Sequence, residues 1–158
     1  MAEMEGSAAD EAVFRDLSVA LAAAIEAQLA PWTRRMVEAR VRGAGMVVDE
    51  RVRVRADEAG VRCREQVGPQ IHQLLMADVD QQRSTPLVLL RGATVFATEA
   101  LAELGVPPVE RDAYEERAFP ADVYALNPAT LEDVHESLAD PGIAWGAAKA
   151  FVHRQRHG

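Results

Sequence analysis

"DERVRVRADEAGVRCREQVG", residues 49–68, carries seven charged side chains in its first ten positions and alternates Arg with Val from Arg51 to Arg55. Two readings compete for it. A strand requires sustained alternation, and only Val52 and Val54 supply that. Helical spacing instead selects Val48, Val52, Ala56, Ala59, Cys63, Val67 and Ile71, each three or four residues after the last. Charge order agrees with the helix: Asp49 precedes Arg53 and Glu58 precedes Arg62 by four residues, the favourable direction on a helix surface. The stretch therefore predicts a helix with its arginines outward and its small aliphatics covered. Gly68 and Pro69 predict a kink or short break before Ile71, Leu74, Leu75 and Val79 resume the stripe.

Upstream, Ser7 followed by Asp10 has the form of a helix N-cap, and an apolar stripe follows at Phe14, Leu17, Leu21, Ile25 and Leu29. Pro31 lacks an N–H and clashes with the carbonyl four residues back, so it is expected to begin a second helix or kink the first. Trp32, Met36 and Val37 keep the spacing up to "GAG" at 43–45, which predicts a turn. Residues 8–82 thus read as an αα-hairpin, coiled-coil-like, bent near Ala44. Its seam of Ala and Val buries little area per turn. Such a hairpin needs a cover, either the C-terminal segment or another copy of itself.

Downstream, residues 85–157 are expected to form a compact helical unit on or beside the hairpin. Thr85 and Pro86 open a helix that closes at Gly105 before Pro107 and Pro108, with Leu89, Ala93, Phe96, Ala100 and Leu104 as its stripe. From 107 to 127 turn formers mix with Tyr114, Phe119 and Tyr124, which predicts short helical turns pinned to the core by aromatic rings. Asn127 with Pro128 is read as starting a helix through Leu138, and Asp140 with Pro141 as starting the last one. "DQQRS", 80–84, reads as a connection. The fold class is all-α.

With 158 residues the chain has the length of one domain and can bury a sizeable core without staples. The single thiol, Cys63, excludes an internal disulfide framework and points to a reducing compartment, so the cytoplasm is the expected location. Val19 to Ile25 is too short to span a bilayer, and the acidic start does not resemble a secretory signal. No membrane association is expected. Of 17 basic residues 16 are arginine, a bias that codon composition explains most simply and that recognition of phosphate or carboxylate by the planar guanidinium would also explain.

The net charge of −8 conceals an uneven distribution: residues 31–66 carry nine bases and six acids, whereas 84–145 carry three and eleven. The basic band, Arg34, Arg35, Arg40, Arg42, Arg51, Arg55 and Arg64 with Trp32 beside it, is the candidate interaction surface. Interleaved acids and the lack of alternating aromatics disfavour nucleic-acid binding without excluding it. Residues 128–155 have the outline of a helix-turn-helix, yet the second element begins with Pro141, Gly142, Ile143 and Ala144, which cannot read bases. Lys149, Arg154 and Arg156 near its end suit the helix macrodipole better.

His153 and His157 stand four apart, the spacing that places two imidazoles on one helix face, but nearby sequence offers no third ligand, so no metal is expected. His72 and His135 lie beside apolar positions and read as satisfied interior or boundary side chains. Asp112 and Glu116 read as part of a solvated acidic face. Gly142 and Gly146 resemble a helix-packing notch with Trp145 on its flank. The chain shows no Gly-rich phosphate loop, no nucleophile elbow and no Cys–His pair with a base. No cofactor and no enzymatic activity are expected. The function that fits is an intracellular interaction or adaptor protein, self-associating through the hairpin or meeting an acidic partner. The alternative is a nucleic-acid or phosphate-binding regulator that uses the arginine band.

Overall fold

Asp49 turns the opening stretch into a helix. Its carboxylate accepts the Val52 N–H at 3.0 Å, and α2 then runs from Glu50–Met76. Val52, Ala56, Ala59, Cys63, Val67 and Ile71 are all buried, while Val54 and Val61 face outward. The computed structural model describes residues 2–80 and 85–158, with side chains from Ala8 onward. All its regular elements are helical, and no strand occurs among the described residues.

The partner of α2 is α1, Ala2–Gly43, which buries Phe14, Leu21, Ile25 and Leu29 as the spacing predicts. It begins ahead of Ser7, so Ser7 is an interior residue of the helix rather than its cap. The intervening Ala and Glu residues are good helix formers, and acids suit a helix N-terminus. Neither proline ends its helix: α1 continues through Pro31 and α2 through Pro69. Trp32 and Thr33, just after Pro31, are buried, and this packing outweighs one lost backbone bond. The bend falls at Ala44 and Gly45. Gly45 adopts φ 75°, and Met46 N–H reaches back to the Val41 carbonyl at 3.0 Å, closing α1 in a Schellman-type turn.

The two helices run antiparallel and approach closely at Gly60, where an added Cβ would lie 2.9 Å from the Ala30 carbonyl oxygen. The small side chains of the seam permit this approach. Their cover is internal to the chain. α3 (Pro86–Ala93) and α4 (Val95–Glu103) run back along α2 and seat Leu90, Ala97 and Leu101 against the hairpin. The predicted single helix from 86 to 104 is therefore divided at Thr94. Its hydroxyl donates to the Arg91 carbonyl at 2.7 Å and lies 3.1 Å from Asn127 Oδ1, competing with the helix ladder. Gly105, φ 75°, closes α4 as Gly45 closes α1, with Val106 N–H on the Leu101 carbonyl.

After α4 the chain becomes irregular. A six-residue helix, α5 (Ala113–Ala118), is exposed on all sides, and Asp112 caps it by accepting the Glu115 N–H. Of the three aromatic pins, Tyr124 is buried with its hydroxyl on the Val106 carbonyl at 2.7 Å, and Phe119 is half-buried. Tyr114 is 69% exposed and pins nothing. The helix read from Asn127 to Leu138 is absent. Two single 3₁₀ turns, Leu131–Asp133 and Glu136–Leu138, stand there instead, because Asp133 turns back to accept the Ala129 and Thr130 N–H groups. The helix-turn-helix outline is lost with it.

Finally α6, Ala139–His157, lies antiparallel along the N-terminal half of α1. Trp145 stacks on Phe14 with ring centroids 6.0 Å apart, and its indole N–H donates to Ser18 Oγ at 2.9 Å. Gly142 sits hard against Leu131, whereas Gly146 faces open space, so only half of the glycine pair is a packing notch. The result is an up-down-up-down bundle with α1 as its hub.

The arginine band and the outer helix faces

The band residues lie along the outer faces of α1 and α2, and most have partners within the chain. Arg35 donates to the Val134 carbonyl at 2.8 Å, Arg40 to that of Ala125 at 3.4 Å, and Arg51 to that of Glu103 at 3.3 Å. Arg34 pairs with Asp57 at 3.4 Å, Arg42 with Glu38 at 3.9 Å, and Arg64 with Glu26 at 3.7 Å. Arg55 lies between Glu58 and Glu103. Trp32 is in the core. The structure thus assembles the arginines into a set of grips that tie α1 and α2 to each other, to α4 and to the irregular segment.

Two further arginines work the same way. Arg91 donates from Nε to the Pro128 carbonyl at 3.2 Å while its guanidinium lies 5.6 Å from the centroid of the Phe119 ring. Arg111 donates to the Phe119 carbonyl at 2.7 Å. Carbonyls freed by irregular backbone need donors, and a fork of N–H groups on a long arm supplies them from a neighbouring element. Nothing in the sequence pairs residue 35 with 134 or 40 with 125.

A second cluster joins the ends of three elements. Arg156 on α6 donates to Glu11 of α1 at 2.9 Å, to both carboxylate oxygens of Asp78 at 2.8 Å, and to Asp80 at 3.2 Å. His157 Nε2 lies 2.7 Å from Asp80 Oδ1, and Gln155 donates to Asp10. The guanidinium of Arg156 holds the Asp78 carboxyl below its usual range, and His157, then Arg156, do so for Asp80. Arg156 in turn keeps its proton more firmly, chiefly through Asp78 and Glu11. Sequence reasoning read Arg156 as a macrodipole complement and missed this junction.

The remaining candidates occupy ordinary surroundings. His72 is half-buried and bonded to Glu26. His135 caps a 3₁₀ turn by accepting the Ser137 N–H. Burial pushes the Cys63 thiol up, partly offset by a hydrogen bond with Thr33. A cleft of about 290 Å³ opens between the α3–α4 junction and residues 119–127. Of the polar side chains that line it, Arg91, Thr94, Asp122 and Asn127 are engaged in the protein's own hydrogen bonds, Asp122 by the Leu126 and Asn127 N–H groups.

On the outer face of α1, Val13 and Val19 are each 53% exposed, and Ala20, Ala23 and Ala27 are exposed with them. Between Asp16 and Arg34 the helix carries one ionisable side chain, Glu26, and that turns toward Arg64 and His72 of α2. On α6, Ile143 and Phe151 are also exposed. No described helix is long and apolar enough to cross a membrane. Comparison with protein-family models, with curated proteins and with solved structures finds no match for the chain.

Proposed function

We propose that the protein is a non-enzymatic interaction protein that associates with a second copy of itself through the outer face of its helical hairpin. The observation that carries this reading is the charge-poor surface of α1 beyond Asp16, where Val19, Ala20, Ala23 and Ala27 face water. Outer faces of solvated helices ordinarily carry charge, and depletion of charge with retained apolar area marks the centre of interfaces. The seam itself is not the surface concerned, since Val52 and its neighbours are covered within the chain.

A mass measurement in solution tests it. The intact protein is expected to form a discrete oligomer, and Ala20→Glu or Ala23→Arg, both at exposed positions, to yield a folded monomer. A strictly monomeric species at high concentration overturns the proposal. The phosphate-binding alternative has weaker support, because the arginines it needs are engaged with carbonyls and carboxylates. It requires nucleic-acid affinity that falls steeply with salt and weakens when Arg51 and Arg55 become Glu.

A further inference from the structure

His153 and His157 share one face of α6, their ring centroids 4.7 Å apart. The third ligand that the sequence around them lacks arrives from more than seventy residues upstream. Asp80, four residues past the end of α2, brings a carboxylate oxygen to the pair, and the nearest donor atoms of the three side chains all lie within 4.8 Å of one another. Two imidazoles and a carboxylate are a donor set for Zn²⁺ and similar divalent ions, with water completing the coordination. Donor atoms around tetrahedral zinc stand about 3.3 Å apart. All three side chains are exposed, so rotations about their own χ angles close the remaining gap without disturbing the core.

We propose that Asp80, His153 and His157 form a site for a divalent transition-metal ion of the zinc type, which clips the C-terminal turn of α6 to the chain leaving α2. His157 Nε2 and Asp80 Oδ1 are already 2.7 Å apart, joined by the hydrogen of the imidazole N–H. A metal ion takes that proton's place and recruits His153. The surroundings favour a cation: Glu11, Asp78 and Asp80 gather around the single guanidinium of Arg156, so carboxylates outnumber the charge that holds them. Arg156 also fixes the second oxygen of Asp80, as outer partners of metal-binding carboxylates commonly do. The site is open to water, and its ligands come from two elements, the end of α6 and the chain leaving α2. Its role is therefore structural.

Tag-free protein, freed of metal by dialysis, is titrated with Zn²⁺ by calorimetry and with Co²⁺ by visible absorption, and its melting temperature is followed. One ion should bind per chain, and zinc at a hundredfold excess over Kd should raise Tm by about 5–10 °C. H153Q, H157Q and D80A should each weaken binding at least tenfold, while H72Q and H135Q bind as the parent does. Arg156 keeps Asp78 and Glu11 in D80A, so that variant is expected to fold, which circular dichroism checks. Absence of binding at millimolar zinc overturns the proposal. So does undiminished binding in D80A, because the histidine pair alone clips nothing.

Discussion

The hairpin and the belt of residues 107–138 are held by opposite means. In the hairpin, backbone groups are satisfied within each helix, so apolar side chains and a glycine that lets the axes approach fill the interface between α1 and α2, with ion pairs such as Arg34–Asp57 and Arg64–Glu26 at its exposed edges. In the belt, outside the short α5 and two 3₁₀ turns, the backbone follows no regular ladder, and arginines, Asp122, Asp133 and Tyr124 complete its hydrogen bonds one at a time. Disruption of the first is a packing failure shared along a helix. Loss of one belt grip leaves one carbonyl in want of a donor.

That difference can be broken most severely at Val52, which is 4% exposed. Val52→Asp puts a charge into the covered seam and should cost more than about 3 kcal/mol, leaving the chain unfolded or nearly so by circular dichroism. Gly60→Ala comes next. Its Cβ meets backbone, which cannot swing aside, and the helices must separate at a cost of about 1–3 kcal/mol in urea denaturation. Gly146→Ala on α6 meets nothing and is expected to stabilise by about 0.5–1 kcal/mol, so the pair separates close approach from helix propensity.

Smaller effects sharpen the contrast from the belt side. Arg35→Met removes the donor of the buried Val134 and should cost about 1 kcal/mol. Arg42→Met, which loses only an exposed pairing within its own helix, should stay within about 0.5 kcal/mol. If the two cost the same, carbonyl gripping is not what the band does. The smallest effect concerns Cys63, whose thiol is raised by burial. A raised thiol contributes stability that is fully present below its ordinary range and lost as pH climbs through the folded-state value. The urea midpoint of the parent should therefore fall faster in alkali than that of Cys63→Ala, with no divergence at neutral pH.

Legibility in the sequence follows the same division. The hairpin could be read because burial repeats along it: every member of the stripe from Val52 to Ile71 is covered, and Gly45 and Gly105 end helices where a left-handed residue is needed. Errors arose where tertiary context overrode local preference. Thr94 divides a stripe that reads as continuous, and two 3₁₀ turns stand in place of the helix expected from Asn127 to Leu138. The belt was opaque because its determinants are pairs ninety-nine and eighty-five residues apart, Arg35 with Val134 and Arg40 with Ala125. Periodicity has no access to such pairs. The band was identified by charge alone, which cannot distinguish an arginine presented to a partner from one turned onto its own chain. Asp80 joined the histidines only once the ends of α2 and α6 were placed together.

A guanidinium closed on a main-chain oxygen is blind to the residue that owns the oxygen. At Ala125, an exposed supplier of such an acceptor, exchange for glycine should pass unnoticed by Arg40, since the atom it binds is the same and the backbone there already adopts φ 53°. Exchange of the arginine has no such freedom. Mutational tolerance is therefore lopsided wherever the acceptor residue is exposed, with the donor constrained and the owner of the oxygen at liberty to drift so long as the path of the chain is kept, whereas Val134 is held by its own burial.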